Sequence, residues 1–181
     1  MFRFFLIFFF SLLILKANAE NKDKIIKNLK NTSNLIFKFE QNINEKIEIG
    51  NCTIEYPKKI YCKYEKNNKV LVSNGKSLVI KTFTSYYRYP LEKTPLNLIL
   101  DKKFLISKIS SLDEKIIDDS YINYTIIENE NKIDIFFDLN SLSLLGWQTR
   151  DIYQNTATTI LYSVLTNQKI KKELFNLPSQ N

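Results

Sequence analysis

The chain has 181 residues, with 26 Lys and Arg against 19 Asp and Glu, two Cys, three Gly and no His. Without histidine, Ser/His/Asp and Cys/His catalytic constellations are excluded, and two cysteines alone cannot complete a four-ligand metal site. The net charge of +7 comes mostly from lysines scattered singly along the chain, with no basic stripe and no nucleic-acid motif, so it reads as a solubility feature, although it would also suit an anionic membrane surface.

Residues 1–19 carry one early positive charge, Arg3. An apolar run from Phe4 to Leu15 follows, then Lys16 and the small-x-small site Ala17-Asn18-Ala19. The run is too short to cross about 30 Å of hydrocarbon and fits a cleaved secretory leader. The expected organisation is a signal peptide over 1–19 and one domain over 20–181. Two cysteines behind a leader suit an oxidising compartment, and the periplasm is the expected location.

Residues 22–30 place Ile25, Ile26 and Leu29 on one side of a helix. Residues 35–41 alternate and are aromatic, as in a strand, and 42–50 read as a further strand or as part of a longer one. From Gly50 to Ile80 four short strands are expected, near 51–56, 59–65, 69–73 and 77–82. Pro57-Lys58, Asn67-Asn68 and Ser73-Asn74-Gly75 separate them, and Asn-Gly between apolar runs is a strong hairpin signal. With the first turn centred on Pro57, Cys52 and Cys62 face each other and share a face with Ile54, Tyr56, Ile60 and Tyr64. A cross-strand disulfide is then geometrically available, with two reduced thiols as the alternative. A short strand over 86–89 stops at Pro90. Thr94-Pro95 then opens a helical piece, as Thr cap and first helical residue, and a second piece follows over 101–112. Strands resume at 116–119, 121–128, 132–138, 143–151 and 157–166, and a helical turn at 170–175 ends before Pro178.

About ten strands joined mostly by hairpins, with two or three short helices, describe a mainly β protein. An antiparallel sheet of that size curls, so a strongly curved sheet forming a half-open barrel lidded by helices is expected. The apolar stripe of Ile54, Ile60, Tyr64, Leu78, Ile135 and Trp147 is expected to line its interior. The paired acids Asp113-Glu114 and Asp118-Asp119 fall in a polar turn and at a strand end, where acids stay solvated. No phosphate loop or dinucleotide fingerprint is present. These features describe a binding or carrier protein, not an enzyme, with no cofactor, no metal and no nucleic-acid partner.

One order of motifs adds to this. Phe39-Glu40-Gln41, Gly50 and Pro57 are followed by Leu71-Val72-Ser73-Asn74-Gly75-Lys76 and by Thr94-Pro95-Leu96-Asn97-Leu98-Ile99-Leu100. Leu145-x-Trp147-x-x-x-Asp151, Thr158-Thr159 and Leu174-Phe175 come later. In this the chain resembles the outer-membrane lipoprotein carrier protein (LolA) family over nearly all of 20–178. The resemblance implies a half-open barrel with a helical lid, whose cavity holds lipoprotein acyl chains. The implied partners are lipoproteins, an inner-membrane lipoprotein-releasing ABC transporter and an outer-membrane lipoprotein receptor, served by a monomer. Tyr56, Ile80, Leu98 and Leu100 join the apolar stripe as candidate acyl-chain contacts. The alternatives are a periplasmic interaction or sensor module with a filled core, or a carrier of another amphiphile. Many family members carry Arg just before the strand-ending Pro, where it bonds the lid shut; this chain has Tyr56. The lid is therefore expected to be held more by apolar packing of Ile25, Leu29, Leu98 and Leu100 than by polar bonds. The cysteine pair is not general to the family.

Overall fold

The computed structural model describes residues 20–128, 131–150 and 154–180. The leader expected over 1–19, Glu130 between the strands expected at 121–128 and 132–138, and Asp151 of the Trp147 motif lie outside the described residues. The chain begins with helix α1 over 20–31. Strands β1 (Asn34–Ile43), β2 (Lys46–Glu55), β3 (Lys59–Tyr64), β4 (Val70–Asn74), β5 (Ser77–Lys81) and β6 (Tyr86–Pro90) follow as a meander. A 3-10 turn (Leu91–Lys93), α2 (Leu96–Ile99) and α3 (Lys102–Ser111) then interrupt the sheet. It resumes with β7 (Lys115–Ile117), β8 (Tyr121–Glu128), β9 (Asn131–Asp138), β10 (Leu144–Arg150) and β11 (Thr156–Thr166).

All eleven strands form one sheet in the order β6-β5-β4-β3-β2-β1-β11-β10-β9-β8-β7, with every pairing antiparallel. Edge strands β6 and β7 each pair with one neighbour only, so the sheet curls without closing. The α2–α3 segment joins those two edges, and so it spans the gap in the barrel.

Curvature has identifiable causes. The β1–β11 register shifts between Ile36 and Lys38, and the β9–β10 register shifts between Leu144 and Gly146. Two glycines also let backbones approach closely. A Cβ on Gly50 would lie 2.3 Å from the Lys63 carbonyl oxygen, and one on Gly146 would lie 2.3 Å from that of Thr159. Such contacts force backbone to move, which is why a glycine inside a strand often marks a bend.

Several boundaries differ from the sequence reading. The first hairpin turns at Asn44-Glu45, both with positive φ, so β1 and β2 are ten residues each. Thr94 does not cap α2. Its hydroxyl donates to the Leu91 carbonyl, closing the preceding 3-10 turn, and Pro95 is the N-cap. A second cap, Asp101 accepting from the Phe104 N–H at 3.1 Å, then restarts the chain as α3. The strand expected over 116–119 is shorter, because Asp118 and Asp119 both adopt φ of 49° and make the turn into β8.

The core fills the concave face. Leu35, Phe37 and Phe39 of β1 point inward with Cys52 and Ile54 of β2 and Ile60, Cys62 and Tyr64 of β3. Opposite them stand Ile122, Tyr124 and Ile126 of β8 and Ile133, Ile135 and Phe137 of β9. Helix α3 crosses this second half, with Lys108 paired to Glu128 at 2.6 Å, and the Asn28 amide of α1 donates to the Leu142 carbonyl. The outer face has a small core of its own. Tyr61, Val72 and Val79 pair across β3, β4 and β5 with parity opposite to Ile60 and Leu78. Val72 and Val79 are buried there, and the C-terminal turn Lys172–Phe175 packs on these strands through buried Phe175.

Candidate functional site: an apolar cavity under a helical lid

A cavity of about 350 Å³ lies on the concave face beneath the 3-10 turn and α2. Phe39, Ile60, Leu71, Leu78, Ile80 and Trp147 form much of its wall, with Pro95, Leu96 and Ile99 above and the Cys52–Cys62 disulfide beside them. The two cysteines are cross-strand partners, as the Pro57-centred register requires, and the bond joins β2 to β3 at the cavity surface. The wall is apolar even where its residues are polar. The Tyr64 hydroxyl donates to Gln41 Oε1 at 3.3 Å, and Gln41 Nε2 donates to Thr159 Oγ1 at 3.0 Å, so these groups satisfy one another. Burial, with help from nearby Glu48, pushes the Tyr64 phenol above its ordinary range and keeps it neutral.

Of the ten residues expected at the cavity, Ile60, Tyr64, Leu78, Ile80 and Trp147 stand in its wall. Ile54, Leu100 and Ile135 are instead fully buried in packed core, and Tyr56 and Leu98 are half-buried against that core, away from the wall. The reason is the lid. Alternation identifies the inward face of each strand, but α1 and α3 fill the space over one half of the sheet and leave the other half open. Phe39 was missed as a wall residue, although its place opposite Gly50 across β1 and β2 was a usable signal. The two are cross-strand partners, and the Phe39 ring occupies the place a Gly50 side chain would take, edge-on to Tyr64 at 5.0 Å. Lys69, Lys93 and Arg150 also border the cavity, and no strand pattern marked them.

The lid contacts combine apolar packing with polar bonds. Ile25, Leu29 and Leu100 are buried, as apolar packing of the lid requires. Polar bonds nonetheless hold it too, from neighbours of Tyr56. The Lys58 N–H donates to the Leu100 carbonyl at 2.9 Å, and Lys58 Nζ lies 3.4 Å from Asp101. Lys102 Nζ donates to the Lys30 and Thr32 carbonyls at 3.2 and 2.7 Å, tying the start of α3 to the end of α1. A cation at a helix C-terminus also meets the negative end of the helix dipole. Tyr56 itself lies under this contact, its ring 5.8 Å from Lys102 Nζ, and its buried hydroxyl has no hydrogen-bond partner among the described residues.

The profile of the family described as outer membrane lipoprotein carrier protein LolA matches residues 30–178. The chain belongs to the LolA family. No curated protein matches it as a relative. Among solved structures, an uncharacterized conserved protein from Thermus thermophilus is similar, with TM-score 0.51, 7% identity, and coverage of 90% of this chain and 95% of that one. A LolA superfamily protein from Nitrosomonas europaea gives TM-score 0.45 and 6% identity, covering 86% and 97%. The lipoprotein LppX from Mycobacterium tuberculosis gives 0.42 and 9%, covering 83% and 95%. At 7% identity the likeness to the Thermus thermophilus protein speaks to fold alone. In the segment that bridges the two sheet edges, the 3-10 turn and α2 roof the cavity. Among the described residues no helix is long and apolar enough to cross a membrane.

Proposed function

We propose that this LolA-family chain is a periplasmic carrier. Its cavity shelters lipoprotein acyl chains between an inner-membrane lipoprotein-releasing ABC transporter and an outer-membrane receptor, and it acts as a monomer without catalysis. The observation that carries this reading is the apolar cavity under a lid held by a few bonds. Its 350 Å³ falls at the lower end of ligand pockets, roughly 300–1,000 Å³. Scaling from an engineered cavity of about 150 Å³ that takes one benzene, it has room for roughly a dozen carbon atoms. The closed form therefore suits part of one acyl chain, and a larger load requires the lid to lift. The Cys52–Cys62 disulfide agrees with an oxidising compartment.

Native mass spectrometry of protein secreted to the periplasm tests the proposal. A co-purifying lipoprotein, released when the protein is denatured, is the expected result. Protein that emerges reproducibly without any acylated species, and whose Trp147 fluorescence ignores added lipid, would overturn it.

A further inference from the structure

Among the described residues, the cavity border carries charge of one sign: Lys69, Lys93 and Arg150 line it, and no described Asp or Glu does. Lys69 is already committed, since its Nζ bonds Glu48 and lies 4.0 Å from the centre of the Tyr64 ring. Lys93 and Arg150 differ. Both are exposed, and neither pairs with a carboxylate among the described residues. Lys93 ends the 3-10 turn after edge strand β6, and Arg150 ends β10. The curl of the sheet places both on the border of one cavity, although they come from strands distant in sheet order. A Lys and an Arg with no carboxylate partner among the described residues, bordering a largely apolar cavity, complement a ligand with an apolar chain and a negative head.

We propose that the cavity takes a single-chain amphiphile with an anionic headgroup, carboxylate or phosphate, its chain against Trp147, Ile60 and Leu78 and its headgroup between Lys93 and Arg150. This rests on the reading of the cavity as an acyl-chain site and adds a requirement that reading lacks, namely charge next to the chain. Size agrees, since the cavity accommodates one chain segment and the headgroup must then sit at the rim. Guanidinium recognises carboxylate and phosphate in bidentate fashion, and the ammonium adds a second positive charge.

The test uses the mature full-length chain and its single tryptophan, Trp147, which stands in the cavity wall. Dodecyl phosphate, dodecanol and inorganic phosphate are titrated separately while Trp147 emission is followed. Dodecyl phosphate should bind about tenfold more tightly than dodecanol, equivalent to about 1.4 kcal/mol. That preference should shrink with added salt, because both cations are exposed. In the double variant Lys93→Gln/Arg150→Gln it should fall below about threefold while dodecanol affinity stays unchanged. Inorganic phosphate should give no response. Equal binding of the two amphiphiles to the natural chain, or a preference that survives in the double variant, overturns the headgroup site and leaves the cavity reading intact. Failure of both amphiphiles to bind overturns the cavity reading and this proposal together. A response to inorganic phosphate as strong as that to dodecyl phosphate would show an anion site independent of the chain, and would also overturn it.

Discussion

Replacing Tyr56 with Phe should stabilise the protein. The Tyr56 ring packs against the core and its N–H donates to the Ser33 carbonyl at 3.0 Å, and both survive the substitution. The only atom lost is a hydroxyl oxygen, buried and without a partner among the described residues. A buried polar group left unmade costs about 1–3 kcal/mol. The residue as a whole is only half-buried, so the low end applies, and Tyr56→Phe should gain about 1 kcal/mol. For a domain of this size that corresponds to about 2–4 °C in Tm. Urea unfolding should show a higher midpoint with an unchanged slope. Alkaline titration adds a second reading. Burial raises the Tyr56 phenol above its ordinary value of 10.0. The folded state therefore favours the neutral phenol. That contribution is complete below the unfolded value and is lost as pH rises through the folded one. Tyr56→Phe should remove part of the loss of stability above about pH 10. A destabilisation of about 1 kcal/mol or more would refute the reasoning, since it would mean that the hydroxyl makes a bond in the folded protein.

Lys102→Met keeps the aliphatic stem and removes both bonds to the end of α1; at about 1–2 kcal/mol for a partly exposed ammonium, lid opening should become roughly 5- to 30-fold more frequent. Hydrogen exchange of the 96–111 amides checks this, and exchange equal to the natural chain would mean that the contact does not restrain the lid. Cys52→Ala/Cys62→Ala opens a loop of sequence separation 10 and should lose about 2–3 kcal/mol on the chain-entropy model. Reductant should lower the urea midpoint of the natural chain and leave the double variant unmoved; a natural chain insensitive to reductant at full thiol exposure would count against it. Burial raises the Glu114 carboxyl above its ordinary 4.5, opposed by the Tyr124 hydroxyl and by Lys22. Its contribution is complete below the unfolded value and is lost as pH rises through the folded value. Glu114→Gln should therefore melt higher than the natural chain near neutral pH and equal it below about pH 4.5, and a gap of constant size across that range would contradict the assignment.

The strand pattern, the hairpins and the cross-strand cysteines were legible because they are local. Period-two alternation sets which side chains share a face, and turn residues such as Asn74-Gly75 set where the chain reverses. Those rules place Cys52 opposite Cys62 and put Ile60, Tyr64 and Leu78 on the inner face with no knowledge of the rest of the molecule. The single break in β character over 91–111 was equally visible, since Pro95 and helical spacing end the alternation.

What the strands enclose was decided elsewhere. Ile54 and Ile60 are cross-strand neighbours on the same face, yet Ile54 is sealed in core and Ile60 borders the cavity. The difference lies in where α1, α2 and α3 come to rest, which depends on contacts between residues far apart in the chain, such as Lys102 with Thr32 and Lys58 with Leu100. Lys93 and Arg150 likewise look like ordinary surface charges in the sequence. Only the curl of an eleven-stranded sheet brings them to the border of one cavity. Sequence determines which residues could face a cavity, because side-chain direction follows from local backbone geometry. The volume left unfilled, and the charges at its mouth, follow from how the whole sheet bends and how its helices pack upon it.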